Sequence, residues 1–449
     1  MRLYENNYNE NRENRGAKRV YGAQFRNAQW VLPFTMPRLS SVSLIRHFWS
    51  GANAGSLRGG NQTRTLALVI PIFVMSFGWS VLPAHAGVVD VAVGGSVTHD
   101  SNLFRQPDSL GPSSDAISSG YLGLRVDKPY AQQRFQVDVT ETTTRYEEFS
   151  NLDFDTLAYR GAWLWHLTPR ISGSLGADRA ESLVSFADTG GTTRNLRVSQ
   201  NRQFSLDAFI TGGWHVLFGI SRATQESEAA TLTEPDFRGK SAEAGIRYEA
   251  RSGSSISVLR RRTEGRYAGT EVPSAAISIA NQDYRQDEND VQTTWIFSRR
   301  STLTNRVTWI ERRHESVGQR DFSGLAGNLG YSWTPPGKIA VAFSAQRAVY
   351  PRQDEGARYG VDNSYSVAPT WQVSAKTTVR VRKQRVKSYL SGATVRRDTT
   401  TDSLFVEASW APQTSVTTSI SLEHQRRSSD NEVFEFDTTI ARISAAIRF

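Results

Sequence analysis

The sequence predicts an all-β fold, a transmembrane outer-membrane β-barrel of about 18 antiparallel strands that follows an N-terminal leader. Three observations support this fold class. Apolar and polar residues alternate with a period of two from residue 87 to the C terminus, short and long connections alternate between the segments, and tryptophans recur beside the short connections. Together they indicate a sheet with one apolar face that closes on itself.

Residues 1 to 86 have the pattern of a leader. An apolar segment at residues 66 to 83 follows Arg64 and ends just before the sequence AHA, a small-x-small cleavage pattern. We therefore expect a secretory signal peptide that is cleaved after Ala86, which leaves residues 87 to 449 as the barrel. A single membrane anchor is the alternative, but this segment is short for a helical span and contains proline.

Charge and cysteine content exclude several classes of protein. The chain carries a formal net charge of +9, but residues 1 to 86 contain ten Lys or Arg and only three Asp or Glu, so the remainder is nearly neutral. The basic balance therefore gives no indication of nucleic-acid binding. The chain has no cysteine, which excludes disulfides, thiolate metal sites and a lipid-modified cysteine anchor.

Alternating segments fill residues 87 to 449. In each segment one parity, meaning either the odd- or the even-numbered positions, is apolar, and the other is small, polar or charged. The clearest apolar parities are Val89, Val91, Val93 and Val97; Phe135, Val137 and Val139; Leu157, Tyr159, Trp163 and Trp165; Phe204, Leu206, Ala208 and Ile210; Leu325, Leu329, Tyr331 and Trp333; and Leu404, Val406, Ala408 and Trp410. This pattern predicts strands with one face toward lipid and the other toward a polar interior.

Short turns alternate with longer polar stretches along the chain. Turns such as DKPYAQ (127 to 132) and TPPG (334 to 337) recur about every forty residues, and stretches such as RQPDSLGPSSD (105 to 115) lie between them. Counting hairpins gives about nine, hence about 18 strands. In a membrane barrel the short connections are periplasmic turns and the long ones are extracellular loops.

Tryptophans distinguish a membrane barrel from its alternative, a secreted array of β-sandwiches. Six of them stand beside a short turn, namely Trp165, Trp214, Trp295, Trp333, Trp371 and Trp410. In β-sandwiches tryptophans are distributed through the core, whereas in a membrane barrel they lie mainly at the level of the lipid headgroups.

The C-terminal segment ARISAAIRF, residues 441 to 449, predicts a last strand with one apolar face. An apolar last strand that ends in Phe is typical of the signal recognised by the barrel assembly machinery of Gram-negative bacteria, so we expect Phe449 to contact that machinery. The strand must also pair with the first one, so that no backbone edge faces lipid.

The polar parity places a set of charged residues inside the barrel. Its arginines are Arg125, Arg160, Arg247, Arg306, Arg380, Arg382 and Arg442, and its carboxylates include Asp138, Asp178, Asp207, Glu243 and Glu407. One interpretation is that these charges pair across strands and stiffen the barrel. The other is that the guanidinium groups line a path for solutes with carboxylate or phosphate groups. Few aromatics share this parity, the clearest being Tyr121 and Phe405, so a stacking path for neutral sugars has less support.

A second basic set precedes or enters the long loops. Its members are Arg260, Arg261, Arg262, Arg312, Arg313, Arg385, Lys387, Arg396, Arg397, Arg426 and Arg427. For this set we expect contacts with outer-membrane lipid, above all the phosphates of lipopolysaccharide, in preference to solute capture.

No catalytic or cofactor motif is recognisable, so we expect neither an enzyme nor a bound cofactor or metal. The histidines after the leader are His99, His166, His215, His314 and His424. Asp100, Asp321 or Ser428 could partner some of them, but no HExxH or GxSxG sequence is present. Isolated histidines at strand ends are commonly interfacial polar residues.

Several segments resemble the EpsL family of outer-membrane proteins, which are encoded with exosortase-associated exopolysaccharide gene clusters. They are VTHDSNLFR (97 to 105), RVDKPYAQQRFQVDV (125 to 139), YRGAWLWHLTPRISGSL (159 to 175), SFAD (185 to 188) and GIRYEARSGSSISVLRRRTEGRY (245 to 267). The resemblance covers most of residues 87 to 449. It implies a role in exporting a secreted polysaccharide through the outer membrane, and the family offers no catalytic residues to transfer. A bridge from the barrel to the inner-membrane machinery would need another protein, so we expect periplasmic export proteins as partners.

These observations predict a monomeric outer-membrane channel that exports an exopolysaccharide without covalent chemistry. Two alternatives stay open. One is a general or small-solute porin, and the other is a non-conducting structural or assembly barrel of the export machinery.

Overall fold

The computed structural model describes residues 88–189, 191–229, 236–267, 283–315, 318–351, 359–391 and 398–449. The predictions for the leader and for its cleavage after Ala86 lie outside these residues. The described strands are β1 (Val89–Asp100), β2 (Asp115–Tyr130), β3 (Gln133–Tyr146), β4 (Phe154–Thr168), β5 (Ile171–Leu183), β6 (Leu196–Thr211), β7 (Trp214–Ser227), β8 (Phe237–Glu249), β9 (Ser255–Tyr267), β10 (Tyr284–Ser298), β11 (Ser301–His314), β12 (Phe322–Trp333), β13 (Ile339–Pro351), β14 (Tyr359–Gln372), β15 (Thr377–Ser391), β16 (Thr399–Gln413), β17 (Val416–Ser429) and β18 (Phe436–Arg448).

The 18 strands form one closed antiparallel sheet. Each strand pairs with its neighbours in sequence, and β1 pairs with β18, where Val97 lies opposite Ile443. At the end of this seam the Phe449 amide donates to the Val91 carbonyl at 2.8 Å, and the Val91 amide donates to the Phe449 carbonyl at 3.2 Å. Closure leaves no unpaired strand edge toward lipid, as a membrane barrel requires. The predicted fold class and strand number are confirmed.

Connections alternate in length around the barrel as predicted. Eight turns of two to five residues join the strands at one end, and nine loops of six to sixteen residues join them at the other. Both chain ends of the barrel lie on the side of the short turns, because β1 starts there and β18 finishes there. This is the pattern of periplasmic turns and extracellular loops.

The outer face of the barrel carries the predicted apolar parity. Side chains such as Val97, Phe218, Leu325 and Ile443 are between 43% and 58% exposed, because lipid rather than protein covers this surface. Five of the six tryptophans beside short turns, all except Trp165, are 44% to 53% exposed on the same face. A closed barrel with an apolar belt and an aromatic girdle is an outer-membrane barrel, so the protein lies in the outer membrane.

The inner face carries small, hydroxylated and charged side chains. Ser174 Oγ lies 2.7 Å from Ser205 Oγ on the neighbouring strand, and Ser344 Oγ lies 2.7 Å from Ser366 Oγ. The Tyr121 ring lies directly over Gly94, so that a Cβ at position 94 would be 2.3 Å from a ring carbon. Glycine at this position lets the aromatic ring lie flat against the wall.

Three extracellular loops fold over the inner face of β1–β5. They are loop 1 (residues 101 to 114), loop 2 (147 to 153) and loop 3 (184 to 195), which contains the short helix α1 (Phe186–Thr189). Their apolar side chains form a cluster with inward residues of the barrel, consisting of Leu103, Phe104, Tyr146, Leu152 and Phe186, with Ile117, Phe149, Phe154 and Leu183 packed against it. Within the described ranges, no helix is long and apolar enough to cross a bilayer.

Loop 3 also makes polar contacts with its neighbours. Arg194 donates to the Asp153 carbonyl of loop 2 and to Glu228 beyond β7, both at 2.8 Å. The Arg194 hydrogen bond holds the pKa of the Glu228 carboxyl below its ordinary value. From the opposite side, Arg427 of β17 donates to the Ala187 carbonyl at 3.0 Å. Loop 3 therefore reaches from the β5–β6 side of the barrel mouth to β17.

Candidate functional site on the inner wall

All seven arginines that the polar parity predicted lie on the inner face. Arg125 and Arg160 lie on β2 and β4, while Arg247 and Arg306 lie on β8 and β11. The remaining three, Arg380, Arg382 and Arg442, lie on β15 and β18. The structure thus distributes them around the lumen, and their surroundings divide them into two groups.

Alternating charges cross the inner face of β1–β5. Asp90, Arg125, Asp138, Arg160 and Asp178 are successive register partners on five adjacent strands. The one close ion pair among them joins Arg125 to Asp138 at 3.6 Å, and their side chains are 55% and 45% exposed. Among described residues, no carboxylate lies within salt-bridge distance of the exposed Arg160. These charges are therefore accessible from the lumen.

Three more arginines lie on the inner face of the adjoining strands β15–β18. Arg380 is 53% exposed and its guanidinium lies 3.3 Å from Glu407. Arg382 is 34% exposed and lies 3.9 Å from Glu423, with its guanidinium carbon 5.2 Å from the centre of the Phe405 ring. Since β18 adjoins β1, these strands continue directly into β1–β4.

Arg442 completes this group through a neutral contact. Its Nε donates to the Thr98 hydroxyl across the β1–β18 seam at 2.9 Å, and the residue is half-buried. We call Arg125, Arg160, Arg380, Arg382 and Arg442 the accessible arc. The ion pairs of Arg125 and Arg380 are exposed, and pairs of this kind exchange readily with solvent and contribute little to stability.

The inner face of β8–β11 carries charges that are buried and multiply paired. Arg261 contacts Glu243, lies 3.0 Å from Glu288 and lies 3.7 Å from Asp290. Arg306 contacts Asp290 and lies 3.6 Å from Glu288. The side chains of Glu288 and Asp290 are 10% and 0% exposed. We call these five residues the paired network.

Arg247 has a similarly enclosed setting near the short turns. Its guanidinium contacts Asp207, and its Nη2 lies 3.1 Å from His215 Nδ1. His215 Nδ1 lies 2.6 Å from Asp207 Oδ1, so one carboxylate serves both partners. The Arg247 side chain is only 15% exposed.

Aromatic side chains on the inner face are more numerous than the sequence suggested. Phe237, Tyr267 and Tyr284 form a group with ring centroids 5.1 to 6.4 Å apart at the loop end of β8–β10. The Arg312 guanidinium lies 3.9 Å above the Tyr284 ring and 5.1 Å from the Phe322 ring. Phe237, Tyr284 and Phe322 are 4% to 8% exposed, so they pack the wall rather than offer a stacking surface.

The DSNLFR segment anchors loop 1 to the barrel seam. Asp100 accepts hydrogen bonds from the Asn102 amide at 3.0 Å, from the Thr438 hydroxyl at 2.8 Å and from Arg105 at 2.8 Å. The Asn102 side chain donates to the Asp437 carbonyl at 3.0 Å. Leu103 and Phe104, which follow, are buried in the loop cluster. These contacts join β1, loop 1 and β18.

The second basic set does not share one surface, which corrects the prediction that it contacts lipid as a group. Strand alternation turns Arg261, Arg312 and Arg427 inward, where they are buried or half-buried. Arg260, Arg262, Arg313, Arg385, Lys387 and Arg426 have the opposite parity and point outward. Arg396 and Arg397 lie outside the described residues. A run of basic residues in a strand necessarily divides between the two faces.

The histidines lie apart from one another. His314 Nδ1 lies 3.4 Å from Asp321 Oδ1, one of the three candidate partners, and His424 Nδ1 lies 3.5 Å from Asp437 Oδ1. His99 points outward and Asp100 inward. Across the described residues, no group of three or more His, Asp or Glu side chains is arranged to hold a metal ion.

Comparison with known proteins finds solved structures that are similar to this chain, but it does not assign the chain to a family. No family model matches the chain, and no curated protein matches it either. The chain is similar to Pseudomonas aeruginosa OpdK, crystallised with vanillate, at 11% identity and a TM-score of 0.45, covering 80% of this chain and 99% of that chain. It is similar to P. aeruginosa OccK2 (OpdF), crystallised with glucuronate, at 13% identity and a TM-score of 0.47, covering 80% and 98%. It is also similar to a BenF-like porin from Pseudomonas fluorescens Pf-5 at 12% identity and a TM-score of 0.47, covering 80% and 98%.

Proposed function

We propose that the protein is an outer-membrane channel whose accessible arc contacts solutes that carry carboxylate or phosphate groups. The observation that supports this most directly is the exposure of guanidinium groups on the inner wall, with Arg125 and Arg380 more than half exposed. Arginine presents a planar fork of donors that matches such anions. The channel has no covalent chemistry of its own.

The contacts within the accessible arc suit transport better than tight binding. Arg125, Arg380 and Arg382 each lie 3.3 to 3.9 Å from one carboxylate, so a passing anion competes with a weak, hydrated pair. A solute then exchanges one contact for the next. Conduction requires binding that is favourable enough for entry and weak enough for release.

Export of an exopolysaccharide is the finer function that we propose for this channel. Its support is the resemblance of several segments to the EpsL family. An extended acidic polymer would move with its carboxylates along the accessible arc, and periplasmic export proteins would deliver it to the end with the short turns. The barrel itself acts as a monomer in this proposal.

A small-solute porin is the second function, and one observation favours it. Loops 1, 2 and 3 fold inward over β1–β5, and Arg427 bonds to loop 3 from β17. Loops that narrow the mouth of a barrel restrict passage to smaller solutes. Both functions use the accessible arc, but they differ in the size of the solute.

Phe449 has a position that suits recognition during assembly, and we propose it as the contact for the barrel assembly machinery. It pairs with Val91 at the periplasmic end of the seam. Its side chain is 67% exposed. The Phe449→Ala substitution should lower the amount of folded barrel in the outer membrane, as measured by heat-modifiable electrophoretic mobility, without changing the current through each inserted barrel.

Planar-bilayer recording tests the channel and separates the two functions. We expect a steady current that acidic oligosaccharides block transiently, while neutral oligosaccharides of equal length leave it unchanged. Block by short acidic sugars only, with no entry of longer ones, favours the small-solute porin. A barrel that carries no current is a structural or assembly protein, and that result refutes the proposal.

Gene deletion tests the export role in the cell. If the barrel exports exopolysaccharide, its loss should cause polymer to accumulate in the periplasm. Normal amounts of polymer at the cell surface would refute export and leave the porin as the remaining channel function.

A further inference from the structure

Five basic side chains form a group on the outer face of β13–β17, close to the extracellular loops. They are Arg347, Lys383, Arg385, Lys387 and Arg426, which we call the outer basic row. Lys383 and Arg385 have side chains 53% and 55% exposed, and Arg347 and Arg426 are also exposed. All five have the parity that faces away from the lumen, because Arg380 and Glu407 of the same strands face inward.

The outer basic row lies at the upper edge of the apolar belt. Lys383 stands opposite Leu404, which is 43% exposed on the lipid face, and Arg385 stands opposite Tyr365, which is 54% exposed. Lys387 is two residues nearer the loops on the same face, about 7 Å further along the strand. Tyrosine at the edge of an apolar belt marks the level of the lipid headgroups.

Carboxylates are scarce on this part of the outer face. Asp402 and Asp437 are the acidic residues that share it on the described strands β13–β18. Asp402 lies 2.9 Å from Arg385 and 3.5 Å from Lys383, so it is already shared. Among the described residues, neither Lys387 nor Arg426 has a carboxylate within 4.0 Å. The row therefore retains positive charge toward the membrane.

Arg347 has its guanidinium fixed by neutral groups. Its Nε donates to the Leu325 carbonyl and its Nη1 donates to the Asn363 side chain, both at 3.0 Å. These contacts hold the charge against the wall without neutralising it.

The outer face of β8–β11 provides the contrast, because its arginines have carboxylate partners. There Arg262 lies 2.9 Å from Asp287, Arg266 lies 2.8 Å from Asp283, and Arg313 contacts Glu311. Longer pairs complete this paired outer patch: Arg238 with Glu226 at 3.3 Å, Arg260 with Asp287 at 3.9 Å and Arg285 with Glu264 at 4.0 Å. The five residues of the outer basic row therefore attract an external anion more strongly than the six arginines of the paired outer patch, whose charges are offset by carboxylates.

We propose that the outer basic row binds the phosphate groups of lipopolysaccharide in the outer leaflet. The row supplies several cations at headgroup level, with an apolar surface directly beneath them for acyl chains. A phosphate accepts several charge-assisted hydrogen bonds from Lys and Arg. This inference is independent of the channel function, because the residues face lipid and not the lumen.

Lipopolysaccharide titration of the purified barrel in detergent tests this site. The triple variant Lys383→Gln, Lys387→Gln and Arg426→Gln removes three charges and leaves the Arg385–Asp402 pair in place. Its matched control, Arg262→Gln, Arg266→Gln and Arg313→Gln, removes the three charges of the paired outer patch whose carboxylate partners lie closest. Dephosphorylated lipopolysaccharide and phosphatidylglycerol serve as comparison ligands.

We expect the row variant to bind lipopolysaccharide at least about tenfold more weakly, since each cation near an anionic surface contributes about a fivefold factor. The control variant should change affinity less than about twofold. Dephosphorylated lipopolysaccharide should bind the natural protein as weakly as lipopolysaccharide binds the row variant, and phosphatidylglycerol should bind less tightly than lipopolysaccharide.

Equal losses in both variants, or no loss in the row variant, would overturn the proposal. So would equal affinity for the dephosphorylated ligand or for phosphatidylglycerol. Should the triple variant fail to fold, as judged by heat-modifiable mobility, the single variant Arg426→Gln decides the matter. It should lose about fivefold in affinity, and unchanged affinity would refute the site.

Discussion

Arg125 and Arg306 lie on the inner face of the same barrel, yet their surroundings differ in exposure and in the number of carboxylate partners. Arg125 is 55% exposed and has one carboxylate at 3.6 Å. Arg306 is 10% exposed and is held by Asp290 and Glu288. The accessible arc and the paired network differ in the same way, with Arg442 as the half-buried member of the arc, held by the neutral Thr98 hydroxyl. Where several carboxylates surround an arginine, the charges join neighbouring strands, and where one distant carboxylate is present, the guanidinium group stays exposed to the lumen.

The largest expected effect comes from breaking the paired network. Asp290→Ala removes the carboxylate that Arg306 and the Thr308 hydroxyl contact and that lies 3.7 Å from Arg261. We expect it to lower the free energy of unfolding by about 3–5 kcal/mol, because it leaves buried guanidinium groups without their partner. Urea unfolding of the detergent-folded barrel, followed by tryptophan fluorescence, measures this change. A loss below about 1 kcal/mol would mean that water reaches these pairs.

An intermediate effect is expected at the anchor of loop 1. Asp100→Ala removes the acceptor for Arg105, Thr438 and the Asn102 amide. We expect a loss of about 1–3 kcal/mol from donors left unpaired. Because loop 1 is then released from the seam, the single-channel current should also rise.

The control for the anchor is Asp108→Ala, an exposed residue of the same loop. It should change neither stability nor current. If Asp100→Ala and Asp108→Ala behave alike, the DSNLFR contacts do not hold loop 1 over the lumen.

The smallest expected effect on stability belongs to the alternating charges of β1–β5. Asp138→Ala removes the partner of Arg125, but both side chains are about half exposed. We expect the free energy of unfolding to fall by less than about 1 kcal/mol. The same urea titration measures this free energy, with Asp290→Ala as the comparison variant. If Asp138→Ala and Asp290→Ala lower the free energy of unfolding equally, the two regions do not differ in the strength of their ion pairs.

Alternation in the sequence was sufficient to predict the barrel and the inward parity of its arginines. A strand places every second side chain on one face, so Arg125 and Arg306 could both be assigned to the lumen without a structure. Their difference could not be predicted, because it depends on register. Only the pairing of β10 with β9 and β11 brings Asp290 close to Arg261 and Arg306.

Two other features escaped prediction for a similar reason. The run Arg260, Arg261 and Arg262 looked like one basic patch, although alternation within a strand already implied that Arg261 turns inward. Leu103 and Phe104 stand in a polar stretch, and this apolar pair was the available signal that loop 1 folds onto the inner wall. Applying the two-residue alternation to the ends of the strands would have predicted that Arg261 faces inward. An apolar pair inside a polar loop indicates that the loop packs against the barrel.

Ion selectivity tests the distinction between the two regions most directly. The measurement is the reversal potential in a planar bilayer under a salt gradient, for the natural protein and for a variant with Arg125→Gln, Arg160→Gln, Arg380→Gln and Arg382→Gln. We expect the natural barrel to prefer anions and the variant to lose that preference severalfold with its stability nearly unchanged. An unchanged reversal potential would contradict the account, because the accessible arc would then not line the conducting path.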